Sequence, residues 1–425
     1  MKKISIKQKT IIIIALILIV VILSTIFTVN IMKNKNLSKE GYMGATANAS
    51  STLVASYIKK GITIGGITGT LEVLDTSDAT AKEEDIAWGK TGYVNGIKIT
   101  GTRIDTVAQG KECGGFVDKN TVVLDDLNNE VVIPEGFKVA SDSGTKVEEG
   151  VVIEDKSGNQ FVWIPAKTGA GATIHTSKGN KTIVYKRTAY SINTSTGQID
   201  SETNSEIISY DDYSYYFTEA LDSDEESSIN KNGGYYIGRY ESGDKEATEA
   251  KTMRTGATEK KTITIKKGQV PYNYITQVDA KKISEEMSIA EGYKAKTKLI
   301  SSYAWDTAIS FMQLTNEDYG NSSIEGNYSN VAFTYTDIKG NSQTKSNGSK
   351  TLVPTGQTTA VCNIYDMGGN VFELTTEKTS SNEAPFVNRG GDYRYDYDNI
   401  PAGRRDGAYD NAYDVLGFRV ALYVQ

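Results

Sequence analysis

The residues that could do covalent or metal chemistry are few in this sequence. It holds two cysteines, Cys113 and Cys362, and one histidine, His175. Three such side chains cannot supply the four ligands of a zinc site at any standard spacing, and no Ser/His or Cys/His pair of an activated nucleophile stands out. The two cysteines lie far apart, so either one disulfide joins them in an oxidising compartment or they are two separate buried thiols.

A C-terminal stretch, residues 392–415, is crowded with a different kind of side chain. It contains six Asp, three Arg and five Tyr in 24 residues. Burying so many charges unpaired would be very costly, so we expect the stretch to face water or a partner. Tyrosine offers a large contact area at a low entropic cost, and Asp, Asn and Arg offer adaptable polar contacts. This mixture is typical of a binding surface.

The remainder of the chain has the composition of a β-rich protein. Its 425 residues are enough for two or three domains, and 40 Gly and 26 Tyr with only six Pro favour strands joined by tight turns. The net charge of −7 offers no basic stripe for phosphates, which argues against a nucleic-acid partner.

The N-terminus carries a candidate membrane anchor. The segment from Ile11 to Val29 has 19 residues without a charge, enough for a bilayer-spanning helix, and four lysines precede it. We predict a cytoplasmic tip and an uncleaved transmembrane helix over residues 1–33, with the rest of the chain outside the cell. A cleaved signal peptide is the alternative.

A faint repeat follows a polar spacer that covers residues 34–56. The segments IKKGITIGGITGT (58–70) and GKTGYVNGIKITGT (89–102) both alternate β-formers with glycine turns, and Asn95–Gly96 favours a type I′ hairpin. We predict a stalk of small β-hairpins over residues 57–105, through which the chain forms homo-oligomers. A small β-domain without a special role is the alternative.

The C-terminal part shows the pattern of a larger α+β domain. After a β-rich connecting region over residues 106–150, strand patterns alternate with Gly, Asn and Asp turns from residue 151 to residue 425. We predict a helix over Asp279–Glu291 and a second helix within 301–314, with Tyr303, Trp305, Ala308, Ile309 and Met312 on its core face. Phe418, Val420 and Leu422 are expected to point inward from a final strand.

Six segments of this domain together resemble a known family. They are, in order, FVWIP (161–165), GGYYIGRYE (233–241), SSYAWDTAISFM (301–312), NIYDMGGNVFELT (363–375), RGGDY (389–393) and GFRVAL (417–422). The series is similar to the landmarks of the formylglycine-generating enzyme, or sulfatase-modifying factor, family. The resemblance implies a C-type-lectin-like fold, which is a compact α+β domain with many loops.

The resemblance does not extend to the reactive groups of that family. Its oxidising members use a pair of cysteines after the RGG landmark to hold copper, and here no cysteine follows Cys362. Another branch binds iron through several histidines, whereas this chain has one. We therefore predict a domain without catalysis and without a redox cofactor.

A calcium site is one further expectation that the resemblance implies. The family's segment similar to DMGGNVFE coordinates calcium through an acid, two backbone carbonyls and a glutamate, which would be Asp366, Gly369, Val371 and Glu373 here. Such calcium would be structural. The alternative is that the segment makes a glycine turn and pairs its acids with Arg419 or Arg389.

The C-terminal stretch also resembles the variable region of the target proteins of diversity-generating retroelements. In those proteins the varied codons end in a pyrimidine and cannot encode Lys, Glu, Gln, Met or Trp. None of these five residues occurs in 392–415, although Lys and Glu are common elsewhere in the chain. A hydrophilic, Tyr-rich loop of an ordinary lectin-like domain is the alternative.

The sequence as a whole thus predicts a non-catalytic, surface-displayed receptor or adhesin, diversified by a retroelement. Its ligand would be a protein or glycan on another cell or phage. The predicted binding residues are Asp392, Tyr393, Arg394, Tyr395, Asp396, Tyr397, Asp398, Asn399, Arg404, Asp406, Tyr409, Asp410, Asn411, Tyr413 and Asp414. A metal-dependent oxidase and a phage tail-tip adhesin are the alternatives.

Overall fold

The computed structural model of the protein describes residues 54–192, 199–203, 207–210, 213–247, 262–320, 325–397 and 400–425. In these ranges the structure has four α-helices and three single-turn 3-10 helices. The α-helices are α1 (Val107–Cys113), α2 (Ser223–Asn232), α3 (Gln277–Glu291) and α4 (Ser302–Met312). The 3-10 helices are Ala55–Tyr57, Glu83–Asp85 and Val147–Glu149.

Strands make up most of the regular structure, as the composition predicts. The first half of the chain contains β1 (Thr63–Ile64), β2 (Ile67–Thr68), β3 (Thr91–Val94), β4 (Ile97–Thr100), β5 (Thr121–Leu124), β6 (Glu130–Ile133), β7 (Lys138–Val139), β8 (Val152–Glu154), β9 (Gln160–Pro165), β10 (Ala172–Thr176), β11 (Gly179–Ile183), β12 (Ala189–Ile192), β13 (Ile199–Thr203) and β14 (Ile207–Ser209). The second half contains β15 (Tyr216–Thr218), β16 (Gly234–Gly238), β17 (Gly243–Asp244), β18 (Ile263–Thr264), β19 (Val270–Pro271), β20 (Lys296–Leu299), β21 (Phe333–Thr336), β22 (Ser342–Lys345), β23 (Phe372–Thr379), β24 (Phe386–Arg389), β25 (Arg405–Ala408), β26 (Leu416–Phe418) and β27 (Val420–Tyr423).

The described chain divides into two compact units. The first comprises residues up to Thr80 together with Tyr93–Ile97, and it contains the hairpin β1–β2 and the turn of the hairpin β3–β4. Asn95 and Gly96 in that turn both have positive φ, at 50° and 76°, as a type I′ turn requires. The predicted Asn–Gly hairpin is therefore confirmed.

The second unit is built around a six-stranded antiparallel sheet in the order β20–β27–β16–β9–β8–β7. The central strands carry continuous apolar runs and are buried on both faces, including Trp163, Tyr236 and Leu422. The last strand does not alternate between inside and outside as predicted, because Arg419, Ala421 and Tyr423 are buried as well. Since β7 is already an edge strand of this sheet, the predicted boundary at residue 151 cuts through the sheet.

A second sheet positions the C-terminal stretch. Its order is β14–β15–β23–β24–β25, and β26 pairs in parallel with β23. The chain leaves β24 through Gly390 and Gly391, whose φ angles of 90° and 75° favour glycine. A Cβ on Gly391 would lie 2.5 Å from the carbonyl oxygen of Ile400. The RGG segment is thus a tight turn that starts the loop between β24 and β25.

The two predicted helices are confirmed, and both have capped N-termini. The side chains of Thr276 and Ser301 accept hydrogen bonds from backbone amides in the first turns of α3 and α4. On α4 the predicted core face is buried except for Tyr303, which is half-buried against the core. Asp306 is also fully buried on this helix, which the apolar periodicity does not predict.

The predicted membrane anchor and the two cysteines are considered next. The predicted anchor, residues 11–29, lies outside the described residues, and within those residues no helix has both the length and the apolar character needed to cross a bilayer. Cys113 and Cys362 are both free thiols, half-buried and buried respectively. The structure therefore corresponds to the alternative of two separate thiols.

Candidate functional site

The loops on both sides of β25 present exposed polar and aromatic side chains. Tyr395, Tyr409 and Tyr413 are exposed to 44%, 53% and 43%. Asp410 and Asn411 are exposed as well. We call the exposed and half-buried members of residues 392–415 the recognition face. Its half-buried members are Tyr393, Arg394, Asp396, Tyr397, Ile400, Arg404, Asp406, Gly407 and Asp414.

One part of the recognition face joins the two ends of the C-terminal stretch. The hydroxyl of Tyr393 donates to Asp414 Oδ2 at 3.2 Å, and Arg394 Nη1 lies 3.6 Å from Asp414 Oδ1. Burial, followed by the charge of Asp414, raises the pKa of Tyr393 to about 12. Tyr274 fixes the second end, because its amide donates to the carbonyl of Tyr413 at 3.0 Å. Side chains 20 residues apart in sequence therefore form one surface.

A second part is held by a loop that precedes β21. The amide of Ser329 donates to the carbonyl of Tyr395 at 2.8 Å, and the Ser329 hydroxyl donates to Asp396. Asn330 Oδ1 accepts from the amide of Tyr397 at 3.1 Å. The backbone of this segment is thus fixed by side chains and amides outside the stretch. Asp398 and Asn399, also predicted to bind ligand, lie outside the described residues.

A third part includes a residue that the sequence analysis missed. Tyr213 donates from its hydroxyl to Asp406 Oδ1 at 2.7 Å and accepts from Arg404 Nη2 at 3.0 Å. The Arg404 guanidinium also lies 5.5 Å from the centroid of the Tyr213 ring. The rings of Tyr213 and Tyr215 pack in a tilted arrangement with their centroids 4.9 Å apart. The Tyr-rich run YDDYSYYF at 210–217 could have indicated that Tyr213 belongs to the site, since this run has a composition similar to that of the C-terminal stretch.

Two charged residues of the stretch are not on the recognition face, and here the expectation from charge was wrong. Asp392 and Arg405 are both fully buried. Asp392 accepts a hydrogen bond from the amide of Arg394 at 2.7 Å, so it shapes the loop instead of facing a ligand. Arg405 is buried because it has partners, and paired charges can be accommodated in a core where unpaired ones cannot.

The partners of Arg405 form a buried charge cluster beneath the recognition face. Asp306 on α4 accepts from Arg389 at 2.7 Å and from Arg405, and its Oδ2 also accepts from the amide of Thr188 at 2.9 Å. Glu377 on β23 accepts from Arg405 Nε at 2.8 Å and from Arg187. We define Arg187, Asp306, Glu377, Arg389 and Arg405 as the buried charge cluster. It ties both strands that flank the loop, β24 and β25, to the core.

Three other carboxyl groups should make stability depend on pH: Asp366 and Glu373 are buried, and Glu219 is half-buried. Burial raises the pKa of Glu219 from 4.5 to about 7, and the neighbouring Glu377 adds to the shift. Burial also raises the pKa of Glu373 to about 7 and that of Asp366 to about 6. Such groups bind protons more tightly in the folded than in the unfolded chain. The stabilisation that these groups contribute is complete at a pH below their pKa in the unfolded chain. It is lost as the pH rises through their pKa in the folded protein.

We therefore expect the free energy of unfolding to decrease between about pH 5 and about pH 8, and Glu219→Gln to remove part of that slope. The shift at Glu219 corresponds to about 3 kcal/mol at roughly 1.4 kcal/mol per pH unit. Urea unfolding of both proteins across this range measures the slope. Glu286→Gln, which changes an exposed carboxylate, is the matched control and should leave the slope unchanged. A Glu219→Gln slope equal to that of the unmodified protein would refute this assignment.

Two of the predicted calcium ligands have other partners in the structure. Glu373 engages the Arg419 guanidinium with both carboxylate oxygens, at 2.8 Å from Nε and 2.5 Å from Nη2. Asp366 accepts from the amide of Gly356 at 2.6 Å. In the described residues no group of three or more His, Cys, Asp and Glu side chains is arranged for a metal ion. Calcium at Asp366, Gly369, Val371 and Glu373 stays a prediction, and the structure corresponds to the alternative of an ion pair with Arg419.

If the ion pair with Arg419 takes the place of calcium, calcium should have no effect on stability, because the guanidinium already supplies the positive charge beside Glu373. Thermal unfolding in calcium and in EDTA should give melting temperatures that agree within experimental error. Magnesium serves as the control for a general effect of divalent cations. A melting temperature that rises with calcium alone would support the calcium site.

The recognition face lies outside the clefts that the structure describes on the second unit. Three surface clefts of the second unit, with volumes of about 870, 570 and 340 Å³, are lined by residues outside 392–415.

Comparison with known proteins assigns the domain. A profile of the sulfatase-modifying factor enzyme 1-like domain matches residues 191–424, more than half of the chain. A search of curated proteins found no match. Two similar solved structures each share 14% identity with this chain: PvdO from Pseudomonas aeruginosa and variable protein 1 of Treponema denticola. The PvdO alignment covers 64% of this chain and 98% of PvdO with a TM-score of 0.36. The alignment with variable protein 1 covers 63% and 96% with a TM-score of 0.31.

Proposed function

Since this chain belongs to the sulfatase-modifying factor enzyme 1-like family but has no cysteine after Cys362 and only one histidine, we propose that it is a non-catalytic binding protein. Its lectin-like domain serves as a scaffold, and the recognition face binds a ligand. The absence of the family's reactive side chains, noted from the sequence, removes thiolate and histidine chemistry at the positions that would need it.

The observation that carries this proposal is the exposure of Tyr395, Tyr409 and Tyr413 on loops whose backbones are fixed by the scaffold. Single exposed aromatic rings are common on protein surfaces and need no explanation. A group of such rings surrounded by Asp, Asn and Arg has the composition of a binding hot spot. Because the supporting contacts come from Ser329, Tyr274 and the buried charge cluster, the face is pre-organised. Since these loops are already held in place, binding a ligand immobilises few additional side chains, and the smaller entropic cost favours high affinity.

We further propose that the recognition face is diversified by a retroelement. The residue bias of 392–415 supports this, since every acid there is Asp and every base is Arg. The DNA downstream of the gene provides the test. A near-copy of codons 389–419 that differs only at adenines, beside a reverse transcriptase gene, is expected; without that copy, diversification fails while the binding function remains.

We propose that the protein is displayed at the cell membrane, with the second unit outside the cell and residues 11–29 as its anchor. The uncharged run of residues 11–29 after four lysines supports this location. Its ligand is then a protein or glycan on another cell or on a phage. Membrane fractionation tests the location, and recovery of the protein in phage particles instead would favour a tail-tip adhesin.

The binding proposal is tested with the purified full chain in detergent, labelled with a fluorophore and added to a panel of intact bacteria and phage particles. We expect saturable binding to some members of the panel, competed by unlabelled protein. Metal analysis and oxygen consumption are measured on the same sample. A stoichiometric copper or iron ion with oxygen consumption, and no binding to any member, would overturn the proposal in favour of an oxidase.

A further inference from the structure

Two short segments near the start of the described chain are copies of one structural unit. Each begins with a single 3-10 turn, continues into a β-hairpin and ends in a Gly–Thr pair. We call residues 55–71 and 83–103 the two hairpin units. Their strands differ in length, because β1 and β2 have two residues each and β3 and β4 have four.

Six backbone hydrogen bonds recur at equivalent positions of the two hairpin units. In the first unit they run from Ile58 N to Ala55 O (3.2 Å), Lys60 N to Leu71 O (2.9 Å), Ile62 N to Lys59 O (3.0 Å), Gly69 N to Ile62 O (2.8 Å), Thr70 N to Ala55 O (2.8 Å) and Leu71 N to Ile58 O (3.0 Å). In the second they run from Ile86 N to Glu83 O (3.3 Å), Trp88 N to Arg103 O (2.7 Å), Lys90 N to Ala87 O (3.0 Å), Gly101 N to Lys90 O (2.8 Å), Thr102 N to Glu83 O (2.9 Å) and Arg103 N to Ile86 O (3.1 Å). The faint sequence repeat is therefore a structural repeat.

The same glycine is required in both copies. A Cβ on Gly69 would lie 2.2 Å from the carbonyl oxygen of Ile58, and a Cβ on Gly101 would lie 2.3 Å from that of Ile86. Any side chain at either position would displace the backbone. This shared requirement explains why the Gly–Thr pair is the clearest repeated element of the sequence.

The segment that contains these units leaves an unusual amount of apolar surface uncovered. Nine of the 19 large hydrophobic side chains that are exposed in the described chain fall between residues 54 and 97. They are Val54, Tyr57, Ile62, Ile64, Leu71, Val73, Leu74, Tyr93 and Ile97. In the same segment only Ile58 belongs to the buried hydrophobic set. Hairpins this short need a covered apolar face to be stable, and the described residues of a single chain do not supply one here.

Charge and connectivity point to a second copy of the same chain as the covering partner. Residues 54–103 contain six Lys and Arg and six Asp and Glu, so the segment is neutral although the whole chain carries −7. Neutral segments associate without repulsion. Within one chain, Thr76 already accepts from the amides of Asn95 and Gly96 through its carbonyl (3.0 Å) and hydroxyl (2.8 Å). The connector after one hairpin thus binds the turn of the next, which is how repeat units add to one another.

We propose that residues 54–103 associate with the same residues of a second copy, so that the protein is a homo-oligomer held by its hairpin units. The exposed apolar side chains of one copy are then covered by those of another. This inference concerns the hairpin units and does not depend on the function of the recognition face.

The test is the mass of the full chain in dodecyl maltoside micelles, measured by light scattering with the detergent contribution subtracted. The unmodified protein should contain at least two chains of 46.3 kDa. The triple variant Ile64→Thr/Tyr93→Thr/Ile97→Thr should contain one, because threonine keeps the strand propensity and removes the apolar contact. The double variant Val122→Thr/Ile207→Thr, at strand residues of similar exposure outside the hairpin units, should keep the mass of the unmodified protein.

A cross-linking experiment keeps the proposal testable if the triple variant misfolds. In a Cys113→Ser background, Ile97→Cys should give a disulfide-linked dimer on oxidation, and Val122→Cys should not. A single-chain mass for the unmodified protein would overturn the proposal. So would an unchanged mass for a folded triple variant, since association would then run through residues 11–29 or another surface.

Discussion

Replacing Asp306 by alanine is expected to lower the free energy of unfolding by about 3 to 5 kcal/mol, since it removes a buried carboxylate that pairs with both Arg389 and Arg405 and leaves Glu377 alone to balance them. At roughly 2 to 4 °C per kcal/mol for a domain of this size, the melting temperature should fall by at least about 6 °C. Denaturant unfolding followed by tyrosine and tryptophan fluorescence measures the loss.

An exposed ion pair provides the control for Asp306→Ala. Lys282 and Glu286 lie one turn apart on α3, 3.8 Å from each other, with both side chains more than half exposed. Glu286→Ala should cost less than about 0.5 kcal/mol because water screens such pairs. Asp306→Asn keeps the size of the side chain and removes its charge, so it separates the loss of charge from the loss of volume. A cost below about 1 kcal/mol for Asp306→Ala would contradict the anchoring role of the buried charge cluster.

Replacing Tyr395, Tyr409 and Tyr413 together by serine is expected to weaken binding by at least about 100-fold, which corresponds to roughly 2.8 kcal/mol. The reason is that these three rings are the exposed large hydrophobic side chains of the described part of residues 392–415. Binding of the labelled triple variant to the panel members that bind the unmodified protein measures the effect. The melting temperature should change little, because side chains exposed to this degree contribute little to the core.

A variant with exposed apolar side chains elsewhere on the second unit serves as the control. Val122→Thr/Ile289→Ser changes two residues that are exposed to 55% and 81%. It should bind as the unmodified protein does. If both variants weaken binding equally, binding is a general property of exposed apolar surface, which would contradict a specific role of the three tyrosines.

The parts of the fold that depend on local pattern could be predicted from the sequence. The helices α3 and α4, the hairpin turn at Asn95–Gly96 and the buried FVWIP strand follow from apolar periodicity, caps and turn residues within one short window. The exposure of the C-terminal tyrosines also followed from composition. These features need no knowledge of distant contacts.

The parts that depend on tertiary pairing could not be predicted. Arg405 looks like a surface charge in its own stretch, and only Asp306 and Glu377, which lie 99 and 28 residues away, make its burial favourable. For the same reason Glu373 was expected to bind calcium, whereas Arg419 engages both of its carboxylate oxygens. Tyr213 contacts Asp406 and Arg404 from 193 and 191 residues away, and no local pattern in the sequence specifies such contacts.

The most direct measurement of the central claim is a selection from two libraries of the full chain displayed on yeast, with hen egg lysozyme as the probe. One library varies Tyr395, Tyr409, Asp410, Asn411 and Tyr413, and the other varies five exposed positions of α2 and α3. If the C-terminal loops are a recognition face on a rigid scaffold, the first library should yield folded lysozyme binders and the second should yield none. Loss of folding throughout the first library, or equal yields from both, would contradict the account.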